Sequence, residues 1–154
     1  MQAEVRILRI IMARIEIKMV DVFVFETELT IRTTDLNFAN HVGNDNFVSL
    51  MQEARTRFFM DLGYSDLDVE GKGTIISDLA VVYKSQSFYG ERLKFELGAG
   101  DFNKYGCDIF YRVTNAENQK LVLEAKTGII FFDYEKNKVT TIPAGFMSHF
   151  TRRL

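Results

Sequence analysis

The fold is decided by DLNFANHVGNDNFVSLMQEARTRFF, residues 35–59, in which a polar loop runs directly into a periodic apolar segment. Apolar side chains recur there at steps of three and four residues, at Phe47, Leu50, Met51, Ala54, Phe58 and, just beyond, Leu62. This spacing predicts one amphipathic helix of about five turns. Gly63 follows the last apolar position and is a typical stop signal. A single long helix is therefore expected at the centre of the fold.

Strand-like alternation flanks the predicted helix on both sides. Before the helix, apolar and polar side chains alternate strictly, and the apolar face carries Phe23, Phe25, Leu29 and Ile31. After the helix, four more alternating stretches occupy residues 74–84, 91–99, 105–114 and 120–133. They are separated by the turn-like connections QSFYG, GDFNKYG and NAENQ. Such short connections predict that successive strands are antiparallel neighbours.

The predicted class is α+β, with one long helix packed on an antiparallel sheet of about five strands. A length of 154 residues fits one domain, which we place at residues 21–154, after an N-terminal extension of residues 1–20. A single sheet with one helix leaves strand edges exposed. This favours pairing with a second copy of the chain.

The N-terminal extension, MQAEVRILRIIMARIEIKMV, is basic and apolar. Its apolar runs are too short for a signal-peptide core or a membrane span, because they are interrupted by Arg6, Arg9, Arg14, Glu16 and Lys18. The spacing is compatible with a helix and, towards its end, with a strand. A structural appendage and a contact with a partner or a lipid surface both remain open.

Composition argues against several classes of function. The formal net charge is −2, and Lys and Arg are scattered along the predicted strands, which does not suit a nucleic-acid-binding surface. Cys107 is the only cysteine, so neither an intrachain disulfide nor a Cys-based zinc site can form, and the chain suits a reducing cytoplasm. The two histidines lie far apart and no Gly-rich phosphate loop is present. We therefore expect no metal site.

The polar loop before the helix is unusually rich in short polar side chains. Residues 33–47 contain two aspartates, four asparagines and His41. Asn44 or Asp45 is expected to be the helix N-cap, which leaves a surplus that either builds turns or forms a site. The unpaired amides at a helix start attract a developing negative charge, such as that of a carbonyl oxygen under attack. A base and an apolar slot beside them would suit acyl transfer.

The same residues resemble the signature of 4-hydroxybenzoyl-CoA thioesterase-like hotdog proteins, broadly D-x-D-x-x-G-H-V-N-N-x-x-Y followed by a helix that contains E-A-R. Seven positions match without a gap, namely His41, Val42, Asn44, Phe47 in the aromatic place, Glu53, Ala54 and Arg55. VVYKSQSFYGERL and TGIIFFDYEKNKVTTIP are similar to later strands of the family. The resemblance covers about residues 22–147.

The resemblance implies a sheet wrapped around the helix and dimers, or dimers of dimers, whose sheets join edge to edge. It also implies acyl-CoA sites at the dimer interface and hydrolysis of the thioester to a free acid and CoA. The resemblance further implies that the reaction needs no metal or organic cofactor, and that coenzyme A enters only as part of the substrate. In this family the amide at the position of Asn44 polarises the thioester carbonyl.

The chain departs from the family at three positions. The second Asp of the motif, the usual nucleophile or base, is Asn37, and an amide cannot accept a proton near neutral pH. Asn40 replaces the family's Gly, and Gly43 replaces the first Asn of the N-N pair. Another group must therefore supply the base if the protein is an enzyme.

Three carboxylates are candidates for the base. Glu53 ranks first because a helix holds it rigidly and because we expect it to be buried near Met51 and Phe47. Asp35 ranks second, since on an extended segment it would lie about 7 Å from Asn37, on the same side. Asp45, at the helix start, ranks third. His41 could be a base, a water holder or a buried ring bonded to backbone.

The expected substrate contacts are Asn40, Phe47 and, for the CoA phosphates, the cations Lys84, Arg55, Arg57 and Lys104. Two other functions remain open. Asn37 is also compatible with a protein that binds an acyl thioester without cleaving it. Hotdog hydratases carry D-x-N-P-x-H, which this chain matches only in part, because it lacks the Pro and has one residue too many before the His.

Overall fold

The computed structural model describes residues 14–151. Its elements are β1 (Phe25–Thr30), α1 (Asn44–Asp61), β2 (Gly73–Tyr83), β3 (Arg92–Gly100), β4 (Gly106–Asn115), β5 (Leu121–Asp133), β6 (Lys138–Val139) and α2 (Ala144–Thr151). The expected α+β class, with an antiparallel sheet packed against a helix, is confirmed, and α1 has 18 residues. Most of the N-terminal extension, residues 1–13, lies outside the described residues. No helix in the described part of the chain is long and apolar enough to cross a membrane.

The strands form one sheet in the order β1-β3-β4-β5-β2, and the short β6 pairs with β5. The prediction that 74–84 and 91–99 are neighbours is wrong, because β2 pairs with β5 and β3 pairs with β1 and β4. The connection 84–91 instead crosses the ends of β5 and β4. An extended segment of that length spans about 27 Å, whereas three strand spacings are only about 14 Å.

Helix α1 packs its apolar face against the sheet. Five of the predicted apolar positions are buried, with Met51, Ala54 and Phe58 each no more than 1% exposed, and Leu62 is partly buried. They belong to one core with sheet residues such as Phe95 and Ile109. The helix ends as predicted, since Leu62 is the C-cap and Gly63 has a φ of 85°.

The start of α1 differs from the prediction that Asn44 or Asp45 is the N-cap. The N-cap is Gly43, and no side chain among residues 14–151 caps the helix. A Cβ atom at Gly43 would lie 2.6 Å from side-chain oxygens of both Asp45 and Asn46. The glycine therefore leaves room for these two side chains, which fold back over the helix start.

The residues that precede β1 cover part of the outer face of the sheet. Gly98 and Gly100 of β3 form a shallow trough there, because Cβ atoms at these positions would lie 2.8 Å and 2.9 Å from the side chain of Val20. Phe110 of β4 lies beside the trough and is only 2% exposed. Val20 is therefore packed as part of the outer face.

The C-terminal helix α2 was not anticipated from the sequence. Phe146 is fully buried and lies among the rings of Phe59, Tyr64, Phe131 and Phe150. The carboxylate of Glu70 accepts the Phe146 N–H at 2.8 Å and the Tyr64 hydroxyl at 3.2 Å. Helix α2 therefore completes the core at this end of the sheet.

Phe146→Ala is expected to lower the free energy of unfolding by about 3–5 kcal/mol, because it removes a fully buried ring and leaves a cavity. The matched control is Phe38→Ala. Phe38 is 101% exposed, so this change should stay within about 0.5 kcal/mol of the wild type. Urea unfolding measures both variants, and equal midpoints would show that α2 does not belong to the core.

Candidate active site

The loop before α1 is a tight turn that brings His41 to the helix start. Leu36 and Val42 form a β-bridge, and the Asn37 N–H donates to the His41 carbonyl at 2.9 Å. The Asn37 side chain accepts the Ala39 N–H at 2.9 Å. Asn40 has a φ of 61°, a conformation that Gly or Asn adopts most readily. Asn37 and Asn40 therefore build the turn, which explains why Asn can stand where the family has Gly.

A cleft of about 310 Å³ opens beside this turn. It is lined by His41, Val42, Asn44, Phe47, Tyr83, Lys84, Ser85 and Gln86. The cleft thus brings together five of the residues selected from the sequence, namely His41, Val42, Asn44, Phe47 and Lys84. Asn37, Asn40 and the three candidate carboxylates are not among its lining residues.

His41 is half-buried, and its Nδ1 lies 3.1 Å from the Val42 carbonyl oxygen. A carbonyl only accepts, so this contact assigns the proton to Nδ1. The lone pair then resides on Nε2. A neutral imidazole oriented in this way can accept a proton from a water molecule in the cleft.

The helix start supplies free donors next to His41. The first intrahelical bond joins the Phe47 N–H to the Gly43 carbonyl at 3.1 Å, and the Gly43 N–H donates to the Asp35 carbonyl at 3.3 Å. Within residues 14–151, the amides of Asn44, Asp45 and Asn46 have no such acceptor. Three free amides at the positive end of a helix dipole form a site for a negatively charged oxygen.

Sequence analysis missed three residues of the cleft: Tyr83, Ser85 and Gln86. The Tyr83 hydroxyl donates to the Asn44 carbonyl at 2.7 Å, and its ring lies 5.9 Å from that of Phe47. All three lie in the segment VVYKSQSFYG, which was singled out only for its strand-and-turn pattern. The periodicity of the sequence gave no signal for these three residues. The end of β2 reaches the start of α1 only because β2 pairs with β5, which is distant in the sequence.

Asp35 is not on an extended segment. The expected distance of about 7 Å from Asn37 therefore assumed a conformation that the chain does not adopt there. Asp35 ends a short 3₁₀ turn, Thr33–Asp35, and is 4% exposed. Its carboxylate accepts the Arg32 backbone N–H at 2.8 Å and pairs with the Arg32 guanidinium at 3.2 Å. Burial raises the pKa of Asp35, but these hydrogen bonds outweigh it and hold the pKa below the ordinary value.

The lowered pKa of Asp35 predicts an acid-sensitive contribution to stability. A carboxylate with a depressed pKa stabilises the fold above its unfolded pKa, 3.8, and loses that effect as pH falls through the lower folded value. Asp35→Asn should therefore destabilise the protein at pH 7 and converge with the wild type in strong acid. Thermal unfolding from pH 7 to pH 2 measures this. A constant difference across that range would contradict it.

Glu53 lies in a second cleft, of about 500 Å³, which is also lined by Glu28, Arg32, Asp35 and Arg57. The expected burial of Glu53 is wrong, since its side chain is 51% exposed. It accepts a hydrogen bond from Arg57 at 2.8 Å, and Arg57 also donates to the Glu28 carbonyl. Nine residues along α1 place Glu53 about 13.5 Å from Asn44 along the axis and about half a turn round the helix.

The cations proposed for the CoA phosphates are dispersed. Arg55 is 7% exposed, so its expected place on the rim is wrong. It donates to the Tyr111 hydroxyl at 3.3 Å and pairs with Asp66 at 3.5 Å. These contacts connect α1 to β4 and to the loop between α1 and β2. Lys104 lies over the Tyr105 ring. Lys84 does line the first cleft.

The described part of the chain contains no group of three or more His, Cys, Asp or Glu side chains that could hold a metal ion. Cys107 is buried, and burial raises the pKa of its thiol. Asp45 is exposed at the start of α1, and its charge acts on Tyr83. The first cleft itself offers the free backbone amides at the start of α1, the His41 imidazole and Lys84, between the apolar side chains of Val42 and Phe47.

The chain belongs to the thioesterase-like superfamily, whose family model matches residues 31–150. A relative from Bacillus subtilis (strain 168), named putative acyl-CoA thioesterase YneP, is 26% identical over 117 residues, 75% of this chain and 84% of the relative.

Solved structures have the same fold. The 1,4-dihydroxy-2-naphthoyl-CoA thioesterase Slr0204 from Synechocystis superposes with a TM-score of 0.75 at 17% identity, covering 82% of this chain and 95% of that one. PA2801 from Pseudomonas aeruginosa, a putative thioesterase, gives 0.76 at 20% identity over 84% and 99%. SAV2348 from Staphylococcus aureus, solved in complex with CoA, gives 0.76 at 15% identity over 89% and 87%.

Proposed function

We propose that this protein hydrolyses an acyl-CoA thioester to a free acid and CoA. The observation that carries the proposal is the first cleft, where the free amides at the start of α1, His41 and the apolar side chains of Val42 and Phe47 meet. Membership of the thioesterase-like superfamily supports the reaction. The B. subtilis relative and the CoA complex of SAV2348 support CoA as the thiol carrier.

The chemistry requires a polarised carbonyl and an activated water. The thioester oxygen accepts hydrogen bonds from the amides of Asn44 to Asn46, where the helix dipole stabilises the negative charge that develops. His41 Nε2 takes a proton from the water as its oxygen bonds to the carbonyl carbon. The C–S bond then breaks, and the CoA thiolate takes the proton from the imidazolium. Lys84, at the edge of the cleft, pairs with a CoA phosphate.

The assignment of the base to His41 revises the order of the candidates. Glu53 is exposed, bonded to Arg57 and part of the lining of the second cleft, not of the first. The carboxylate of Asp35 is occupied by Arg32. Asp45 lies at the helix start, but it is not among the lining residues of the cleft. His41 is therefore the group best placed to accept the proton of a water near the thioester carbon.

We also propose that the protein is a homodimer, or a dimer of dimers, joined through β2. This strand is an edge of the sheet, is 11 residues long and exposes Ile75, Ile76 and Leu79. The opposite edge, β1, has six residues and carries exposed Glu26 and Glu28. A long apolar edge favours strand pairing, and a short charged edge opposes it. Pairing through β2 would place two clefts near the interface.

A panel of aromatic, short-chain and long-chain acyl-CoAs, assayed for thiol release, tests the function. At least one member should be hydrolysed with a kcat/KM above about 10⁴ M⁻¹s⁻¹, a typical lower value for an enzyme on its own substrate. The second candidate function, binding without cleavage, is favoured by the use of Asn37 in the turn. Tight binding of an acyl-CoA without thiol release would support that function and contradict hydrolysis.

A further inference from the structure

Tyr83 is the last residue of β2, the edge strand on which the proposed dimer depends. Its hydroxyl donates to the Asn44 carbonyl at 2.7 Å, which joins two residues 39 positions apart in the sequence. Its ring lies 5.9 Å from the ring of Phe47 and tilts against it by 49°. Tyr83 therefore fastens the end of the edge strand to the first turn of α1, beside the cleft.

The Asn44 carbonyl, which accepts the Tyr83 hydrogen bond, belongs to a peptide group that also carries one of the free amides. The Asn44 C=O and the Asp45 N–H lie in one planar unit, so fixing the oxygen also fixes the direction of the N–H. A hydrogen bond to the carbonyl polarises the unit and makes its N–H a stronger donor. The Asp45 amide is one of the three free donors at the helix start.

The Tyr83 phenol remains a hydrogen-bond donor over the whole neutral range. Burial raises the pKa of Tyr83, and the charge of Asp45 raises it further. The hydroxyl has a single proton, which it donates in the hydrogen bond to the Asn44 carbonyl. Tyr83 therefore acts on the site through the backbone carbonyl of Asn44.

We propose that Tyr83 is a positioning residue for thioester cleavage, whose hydroxyl holds the first peptide group of α1 so that its free amides point at the substrate carbonyl. This inference rests on the proposed function, because it assigns a further role within the same cleft. The amides matter most when negative charge develops on the oxygen. Loss of the Tyr83 hydroxyl should therefore lower kcat and leave substrate binding almost unchanged.

The test compares Tyr83→Phe with the wild type on the best acyl-CoA of the panel. Removal of a direct oxyanion donor costs about 100-fold or more in kcat, so loss of an indirect support should cost about 10-fold, with KM within about twofold. The matched control is Tyr89→Phe. Tyr89 is 65% exposed and does not line the cleft, so this change should leave both constants unaltered.

The outcomes separate the inference from the function. A Tyr83→Phe variant with wild-type kcat, or with a raised KM alone, overturns the positioning role while the function stands. An equal loss of kcat in Tyr89→Phe also overturns it, because the loss would then not depend on the Asn44 contact. A wild type that releases no thiol from any acyl-CoA overturns the function, and the inference falls with it.

Discussion

His41→Gln is expected to lower kcat by about 100-fold or more, because it removes the imidazole that takes a proton from the attacking water. Glutamine has a similar length and can still donate a hydrogen bond to the Val42 carbonyl, the contact that His41 Nδ1 makes at 3.1 Å. The melting temperature should therefore change little. Stopped assays of thiol release at saturating acyl-CoA measure the effect, and wild-type turnover would remove His41 from the mechanism.

Glu53→Gln is the matched comparison for His41→Gln. Glu53 has the carboxylate that helix rigidity and expected burial favoured, but it lies in the second cleft and pairs with Arg57 at 2.8 Å. This exposed pair contributes little to stability. The variant should keep kcat within about threefold of the wild type. A loss of about 100-fold in Glu53→Gln with an active His41→Gln would reverse the assignment of the base.

Leu79→Lys is expected to separate the dimer and to inactivate the enzyme at low concentration. Leu79 is 43% exposed on the edge strand, and pairing through β2 would bury it. Two buried lysines at one interface should weaken the dimer by at least about 3 kcal/mol, which is a factor of more than about 100 in the dissociation constant. Sedimentation at micromolar concentration should then show the 17.8 kDa monomer.

Leu67→Lys is the control for Leu79→Lys. It is the same substitution at a position that is 75% exposed in the loop between α1 and β2. This variant should sediment as the wild type does and retain its activity. The activity of Leu79→Lys should recover as the protein concentration rises, because association restores the interface. A wild type that sediments as a monomer at micromolar concentration would contradict the proposed interface.

The helix and strands could be predicted because their periodicities come from local sequence. The partners of β2 could not, since the connection 84–91 is short enough to suggest a hairpin and long enough to cross two strands. The sequence of α2 does contain a local signal for a helix. Phe146 and Phe150 are four residues apart and follow Pro143, a residue common at helix starts.

The candidate site was predicted in part. The helix start and His41 followed from the motif, but the orientations of Glu53 and Arg55 depend on how far the sheet wraps around α1. Arg55 lies four residues after Met51 and three before Phe58, so it falls within the buried arc of the helix. The position of Tyr83 could not be predicted, because its contact with Asn44 exists only once β2 has paired with β5.

The central claim is that the thioester carbonyl binds at the free amides that begin α1. A crystal structure with a ketone analogue of acyl-CoA, in which a methylene group replaces the thioester sulfur, measures this directly. The carbonyl oxygen should lie within about 3.2 Å of the backbone nitrogen of Asn44, Asp45 or Asn46. A carbonyl oxygen more than about 4 Å from all three amides, or an analogue bound in the cleft of Glu53, would contradict the account.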